Sequence, residues 1–140
     1  MQILIADDDP VYRSLLEELL TQWEYDVVSA CDGLEAWNLF QADPPPKLVL
    51  LDWMMPGLDG FDLCSKIRNE SSAPNDTYII LLTGSRRKSE IITALVAGAD
   101  DYLIKPFEPL DLKIRLRAAK RILDLCAEVA ELRQPAGANC

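Results

Sequence analysis

The fold is decided by the stretch LVLLDWMMPGLDG, residues 48–60, near the middle of the chain. Its first four residues are all apolar, which is typical of a strand buried on both faces of a parallel sheet. The apolar run stops at Asp52, and the Pro-Gly and Asp-Gly pairs that follow favour a loop. Ligands of open α/β sheets bind at the carboxyl ends of the strands. Asp52 is therefore a candidate functional residue, although an isolated aspartate at such a place more often only caps a strand or a helix.

Length and charge limit the classes of function. A chain of 140 residues fits one domain that is large enough to bury a core without disulfides or metals. Its formal net charge of −9 predicts no direct contact with nucleic acid, because the phosphates would repel it. No apolar run approaches the roughly 18 residues of a membrane span, and the N-terminus lacks the pattern of a signal peptide. We therefore expect a cytoplasmic protein that makes no contact with a membrane.

The chain contains no histidine, which excludes Ser-His and Cys-His nucleophilic catalysis within it. Any covalent chemistry must then use a carboxylate or a lysine. The four cysteines are scattered and form no C-x-x-C motif, so we expect reduced thiols that fill small apolar gaps rather than disulfides. They are Cys31, Cys64, Cys126 and Cys140.

Five short apolar runs alternate with segments of helical periodicity. The predicted strands cover residues 3–6, 26–31, 48–52, 78–82 and 101–105, and the last helix runs from Glu108-Pro109 to about Arg133. Helical spacing predicts inward faces for the first four helices: Val11, Leu15, Leu16, Leu19, Leu20 and Trp23; Leu34, Trp37, Leu39 and Phe40; Phe61, Leu63, Cys64 and Ile67; Ile91, Ile92, Leu95 and Val96. The alternation predicts an α/β domain with a parallel sheet and right-handed crossovers.

Unusual polar residues stand at the carboxyl ends of four of the five predicted strands: Asp7 and Asp8, Asp52, Thr83 and Lys105. The carboxyl ends of parallel strands meet at one edge of a sheet, so these side chains are expected to share a pocket. Carboxylate oxygens suit Mg²⁺, while a lysine and a threonine hydroxyl suit phosphoryl oxygens. Asp52 is then left as the nucleophile of a phosphoryl transfer.

Four segments in this order resemble the receiver domain of a two-component response regulator: ILIADDDP (3–10), LVLLDWMMPGLDG (48–60), IILLTG (79–84) and DDYLIKPF (100–107). The resemblance covers residues 1 to about 122. It implies a flavodoxin-like, doubly wound α/β fold, with a five-stranded parallel sheet of order 2-1-3-4-5 and five helices. We therefore divide the chain into a receiver domain at 1–122, a helical extension or coiled-coil linker at 123–133, and a disordered tail at 134–140.

The resemblance also implies roles for individual residues. Asp52 would accept a phosphoryl group from a histidine kinase or a histidine phosphotransfer protein. Asp8, Asp52 and the backbone carbonyl of Met54 would ligate Mg²⁺, with Asp7 acting through a metal-bound water. Lys105 would hold the phosphoryl group, and its peptide bond to Pro106 would be cis. A domain of this kind signals by taking part in its own phosphorylation and dephosphorylation and is not otherwise an enzyme.

In such a domain the phosphoryl group switches a surface. Thr83 would move toward the new phosphoryl oxygens, with room left by Gly84, and Tyr102 would turn inward. The surface along the fourth helix, fifth strand and fifth helix would then change, to be read by a partner or by a second copy in a homodimer. Tyr102 could equally be an ordinary edge residue. Met54, two residues after the phosphoacceptor, is hypothesised to slow loss of the phosphoryl group.

Two other functions compete with this one. A phosphatase of the haloacid dehalogenase type also has a strand-end aspartate, but it needs a second aspartate two residues later, where this chain has Met54. A receiver-like module that signals by protein contact alone would not need the full set of acids, threonine and lysine.

The last predicted helix is longer than a receiver needs. Apolar residues recur along it at spacings of four, four, three, four and three, which is coiled-coil periodicity. They are Ile114, Ala118, Ile122, Leu125, Val129 and Leu132. Either the stripe through Ile122 faces the core and the rest frays, or the helix leads to a dimer or to an output domain. By resemblance that output would be of the cyclase or phosphodiesterase type, but no residue identifies one.

Overall fold

The computed structural model describes residues 1–42, 44–70, 76–84 and 87–132. Arg133 and the predicted tail at 134–140 lie outside these ranges. So does most of the segment 70–77, whose Ser, Asn, Asp and Pro residues predict a loop. Five strands alternate with five helices along the chain. They are β1 (Gln2–Ala6), α1 (Pro10–Gln22), β2 (Asp26–Ala30), α2 (Gly33–Phe40), β3 (Leu48–Asp52), α3 (Gly60–Glu70), β4 (Tyr78–Thr83), α4 (Lys88–Ala97), β5 (Asp101–Ile104) and α5 (Pro109–Leu132).

The strands form one parallel sheet in the order β2-β1-β3-β4-β5, which confirms the predicted fold. β3 lies at the centre between β1 and β4, and all five of its residues are buried. The register pairs Ala6 with Leu51 and Asp52 with Leu82, so the carboxyl ends of the three central strands lie side by side. This register sets the position of the strand-end polar residues.

Helices cover both faces of the sheet, because successive strand residues point to opposite sides. Leu16 and Leu20 of α1 pack with buried residues of α5 against one face, which includes Ile3 and Ile5 of β1. The other face includes Leu4 of β1 and packs against α2, α3 and α4. The three central strands β1, β3 and β4 therefore contribute alternate residues to two separate cores.

Helix ends follow local sequence signals. Asp9 caps α1, since its Oδ1 accepts a hydrogen bond from the backbone N–H of Val11, and Pro10 opens the helix. Gly98 ends α4 with a φ of +114°, in the left-handed region that glycine adopts without strain. These two ends fix where the neighbouring strand-end loops begin.

The predicted inward faces of the helices were too wide. On α4, Ile92, Leu95 and Val96 are exposed, and the buried residue is Ala94. Val11 and Leu15 of α1 and Leu34 of α2 are also exposed, against prediction (the other helical residues predicted to face inward are buried or partly buried). A helix lying on a sheet buries a narrow stripe, and a small residue such as Ala94 lets the helix approach so closely that its larger apolar neighbours fall outside the contact.

α5 packs on the sheet through a different stripe from the predicted one. Its buried residues are Leu112, Leu116, Ala119 and Leu123. Every residue of the coiled-coil stripe from Ile114 to Leu132 is exposed, so the core-facing interpretation of that stripe is wrong. None of the described helices has both the length and the apolar character of a membrane span.

Cys31, Cys64 and Cys126 are free thiols, as predicted. Only Cys64 fills a gap in the core; Cys31 and Cys126 are exposed, against prediction. Cys140 lies outside the described residues.

Candidate functional site

Three carboxylates meet at the carboxyl edge of the sheet. Asp7 and Asp8 follow β1, Asp52 ends β3, and one carboxylate oxygen from each lies within 4.8 Å of the others. Asp7 has no exposed surface, Asp52 is buried and Asp8 is exposed. The structure therefore brings together the three acids that the sequence singled out, because β1 and β3 are neighbouring parallel strands.

Lys105, which follows β5, places its ammonium group among these acids. Its Nζ lies 2.8 Å from Oδ2 of Asp7 and 3.4 Å from Oδ1 of Asp52. Its backbone N–H donates a hydrogen bond to the carbonyl of Thr83 at 2.7 Å, which ties the end of β5 to the end of β4. The peptide bond between Lys105 and Pro106 is cis, as expected. Thr83 itself is buried at the end of β4.

Two residues of α1 that the sequence did not single out also belong to the site. The ring centre of Tyr12 lies 4.1 Å from Nζ of Lys105, within range of a cation–π interaction. Arg13 donates a hydrogen bond to the backbone carbonyl of Asp7 at 2.8 Å. The sequence could have pointed to them by their position, because they lie in the first turn of the helix that begins directly after the acidic end of β1.

Both carboxylate oxygens of Asp7 are already engaged. Oδ1 accepts from the backbone N–H of Asp9 at 2.9 Å, and Oδ2 binds the ammonium of Lys105. Asp7 is thus held in one orientation by the turn into α1 and by Lys105, and Asp8 and Asp52 are the more open oxygen donors.

The electrostatics of the site depend on its burial. Burial raises the pKa of Asp52 to about 7; the charge of Lys105 opposes this rise and the charge of Asp7 adds to it. For Lys105, burial lowers the pKa, but the hydrogen bond to Asp7 and the charges of both carboxylates outweigh it, so the pKa is raised overall. Lys105 therefore stays charged, while burial favours the protonated form of Asp52 as long as no further cation is bound.

The loop after Asp52 is fixed by backbone hydrogen bonds. Trp53 donates to the carbonyl of Leu82 and accepts from the N–H of Gly60, both at 2.8 Å. Its partly exposed ring packs on Phe61, with ring centres 6.2 Å apart. Met54 is 71% exposed, so its side chain stands in solvent two residues from Asp52.

Tyr102 lies apart from this cluster, within β5. Its side chain is partly exposed, and the guanidinium carbon of Arg115 lies 5.8 Å from its ring centre. Arg115 is itself paired with Asp101 at 2.6 Å. In this structure Tyr102 is therefore associated with α5 rather than with the acids.

The donor set fits Mg²⁺. Three carboxylates converge within a distance that one small cation can bridge, and hard oxygen donors are what this ion prefers. The only cation among the side chains that contact Asp7 and Asp52 in the described part of the chain is Lys105, so the cluster carries an excess of negative charge.

Comparison with known proteins agrees with this geometry. A family profile described as the response regulator receiver domain matches residues 3–117. A probable transcriptional regulator ycf27 from Porphyridium aerugineum is 46% identical over 123 residues, 88% of this chain and 49% of that protein. Chemotaxis protein CheY1 of Helicobacter pylori is 38% identical over 117 residues, 83% of this chain and 94% of that protein.

Solved structures agree as well. The crystal structure of a putative response regulator from Chloroflexus aurantiacus has a TM-score of 0.78 and 35% identity, covering 84% of this chain and 95% of that one. The chain spans about half the length of the ycf27 relatives that it matches.

Proposed function

Because this chain belongs to the family of response regulator receiver domains, we propose that Asp52 accepts a phosphoryl group from a histidine kinase or a histidine phosphotransfer protein. One observation carries the proposal: Asp7, Asp8 and Asp52 share one pocket with the ammonium group of Lys105. A cluster of acids with no function would be expected to stay on the surface, since burying charged groups costs folding free energy. Buried groups with shifted pKa values are concentrated at functional sites.

In the transfer, a carboxylate oxygen of Asp52 forms a bond to phosphorus while the P–N bond of the donor phosphohistidine breaks. The bonding electron pair returns to the imidazole nitrogen of the donor. Asp52 must be ionised to attack, and Lys105 favours that state by lowering the pKa that burial raises. The same ammonium group is available to a phosphoryl oxygen. Water later cleaves the acyl phosphate and regenerates Asp52, so the domain takes part in its own dephosphorylation.

We assign Mg²⁺ to Asp8, Asp52 and the backbone carbonyl of Met54. Asp7 would reach the ion only through a water, in keeping with the engagement of both of its oxygens by Asp9 and Lys105. When bound, Mg²⁺ neutralises charge on the carboxylates and on the phosphoryl oxygens.

The signal leaves the site through Thr83 and Tyr102. The phosphoryl group adds acceptor oxygens beside the end of β4, and the Thr83 hydroxyl moves to meet them. Gly84 leaves room for this movement, since a Cβ added there would meet no atom within 4 Å. Tyr102 then leaves Arg115 and turns inward, which changes the surface formed by α4, β5 and α5.

This surface includes exposed apolar residues of α4 that a partner or a second copy would bury on binding: Ile92, Leu95 and Val96. In a chain of net charge −9, the receiver at 1–122 acts on an output through protein contacts rather than by holding nucleic acid itself.

The test is incubation with acetyl phosphate and Mg²⁺ followed by intact-mass measurement. We expect one phosphoryl adduct on the native chain and none on Asp52→Asn. Asp59→Asn is the matched control, because Asp59 lies in the same loop but caps α3 through the N–H of Asp62, a role that asparagine also performs. Turnover of many phosphoesters would indicate the phosphatase instead, and absence of any adduct would indicate a module that signals without phosphorylation.

A further inference from the structure

The 24 residues of α5 carry two apolar stripes on different sides of the helix. The buried stripe packs on the sheet and ends at Leu123. The exposed stripe consists of Ala118, Ile122, Leu125, Val129 and Leu132, hereafter the seam. At 3.6 residues per turn, the seam lies roughly 130° around the helix from the buried stripe. The receiver's own core therefore leaves the seam uncovered.

The residue types in the seam are specific. Their spacing places Ile122 and Val129 at positions a of a heptad repeat and Ala118, Leu125 and Leu132 at positions d. β-branched residues at a with leucine at d favour two parallel strands over higher oligomers. We propose that α5 forms a parallel two-stranded coiled coil with α5 of a second copy of this chain, through the seam.

Two further observations identify the occupant as a second copy. The last nine residues of α5, 124–132, are all exposed, so this end of the helix gains nothing from packing on the receiver's core, and packing of an apolar face supplies most of the stability of helices in proteins. The seam contains no charged residue in a chain of net charge −9, so it offers a contact that general charge repulsion does not oppose directly. A parallel twofold pair sets each seam residue against its own counterpart, which makes the surface self-complementary.

This inference goes beyond the phosphoryl transfer and does not depend on it. The seam covers little more than two heptads, so the dimer is weak and depends on concentration. It also differs from contact through α4, because none of its residues lies on that helix.

Sedimentation of the full chain over a concentration series tests the inference. We expect a reversible dimer that Leu125→Lys weakens by about tenfold or more, because it buries two ammonium groups at one d layer. The matched control is Val96→Lys on α4, which is 81% exposed and off the seam, and should leave the dimer unchanged. A monomer at all concentrations, or equal loss of the dimer in both variants, would overturn the inference. Circular dichroism verifies that each variant is folded.

Disulfide trapping gives a second, independent readout. Cys126 is exposed and lies next to Leu125, but at position e, where parallel helices do not bring identical residues together. With Cys31 and Cys140 replaced by serine, Leu125→Cys combined with Cys126→Ser should cross-link two copies under mild oxidation by diamide faster than native Cys126 does. An equal or slower rate would contradict the parallel seam.

Discussion

Nζ of Lys105 lies 2.8 Å from Oδ2 of Asp7, a carboxylate with no exposed surface. The two residues follow β5 and β1, which are separated in the sheet by β3 and β4. The long lysine side chain therefore reaches across two strands to the acid that no bulk water can solvate. Asp52 ends β3, one of these two strands, and its Oδ1 lies 3.4 Å from the same ammonium group. The ammonium group of Lys105 thus supplies part of the positive charge that a metal ion would bring to the acidic cluster.

This geometry predicts two effects of Lys105→Met. The chain binds Mg²⁺ more strongly, and Asp52 no longer retains a phosphoryl group. Removing the positive charge that lies 3.4 Å from Oδ1 of Asp52 should raise Mg²⁺ affinity roughly tenfold, after screening by solvent. Trp53, next to Asp52, provides the fluorescence signal for the titration. Lys113→Met, which removes a lysine at the start of α5 whose Nζ lies 5.7 Å from the ring centre of Trp23, should leave the affinity unchanged. Weaker Mg²⁺ binding by Lys105→Met would contradict the assignment of these acids.

The raised pKa of Asp52 predicts how stability depends on pH in EDTA. A pKa near 7 in the folded chain, against an ordinary value of 3.8, means that the folded state favours the protonated carboxyl. Its contribution to stability is present in full below pH 3.8 and is lost as the pH rises through 7. Asp52→Asn avoids this loss, so it should be more stable than the native chain at pH 8 by about 1–3 kcal/mol.

Urea unfolding at several pH values measures the difference, which should shrink toward pH 4 as Asp52 becomes protonated in both states. Mg²⁺ should remove most of the difference at pH 8, because it stabilises the ionised carboxylate of the native chain only. A native chain more stable than Asp52→Asn at pH 8 in EDTA would refute the raised pKa.

The sequence predicted the sheet and the acidic cluster because both follow from strand ends. Once Asp7, Asp8, Asp52 and Lys105 are placed after parallel strands, the geometry of the sheet brings them to one edge. It did not predict Tyr12, whose approach to Lys105 depends on the angle at which α1 leaves that edge. That angle is set by packing and not by local pattern.

Helix faces were predicted less well, for a different reason. Apolar periodicity reports which residues lie together on a helix, but not which of two apolar stripes meets the sheet. On α5 both Leu116 and Ile122 belong to regular apolar stripes, and the packing of the helix on the sheet decides that Leu116 is buried. On α4 the small Ala94, which carries little hydrophobic signal, makes the contact.

Gly60 is predicted to be irreplaceable at the start of α3. A Cβ there would lie 2.5 Å from the backbone oxygen of Asp52, and backbone atoms cannot move aside without displacing the nucleophile. Gly60→Ala should lower the free energy of unfolding by about 2–4 kcal/mol. Gly84→Ala is the control, because nothing lies within 4 Å of its added Cβ, and it should change stability by less than about 0.5 kcal/mol. Equal effects in denaturant titrations would show that the close approach at Gly60 is relieved cheaply.

Arg68 is predicted to hold the start of β4 and the end of α4 together. It donates to the carbonyls of Thr77 and Gly98 at 2.7 and 2.9 Å and to Asp100 at 2.6 Å. Arg68→Met leaves two carbonyls and a carboxylate without this donor and should cost about 2–4 kcal/mol of stability. Lys66→Met, two residues away, breaks a partly exposed pair with Glu70 and a cation–π contact with the ring of Trp37, and should cost about 1 kcal/mol. Thermal unfolding of the two variants side by side measures this contrast.

Met54 is predicted to prolong the phosphorylated state of Asp52. Its side chain is 71% exposed two residues after the nucleophile, where a large apolar group offers attacking water no hydrogen-bond partner. Met54→Asn supplies an amide that can hold such a water, so the aspartyl phosphate should decay several-fold faster after acetyl phosphate is removed. The control is Leu34→Asn, which changes another exposed apolar residue. The side chain of Leu34 lies close to the same loop, since a Cβ added at Gly57 would be 3.5 Å from it. If both variants keep the native half-life, Met54 does not limit the access of water to the phosphoryl group.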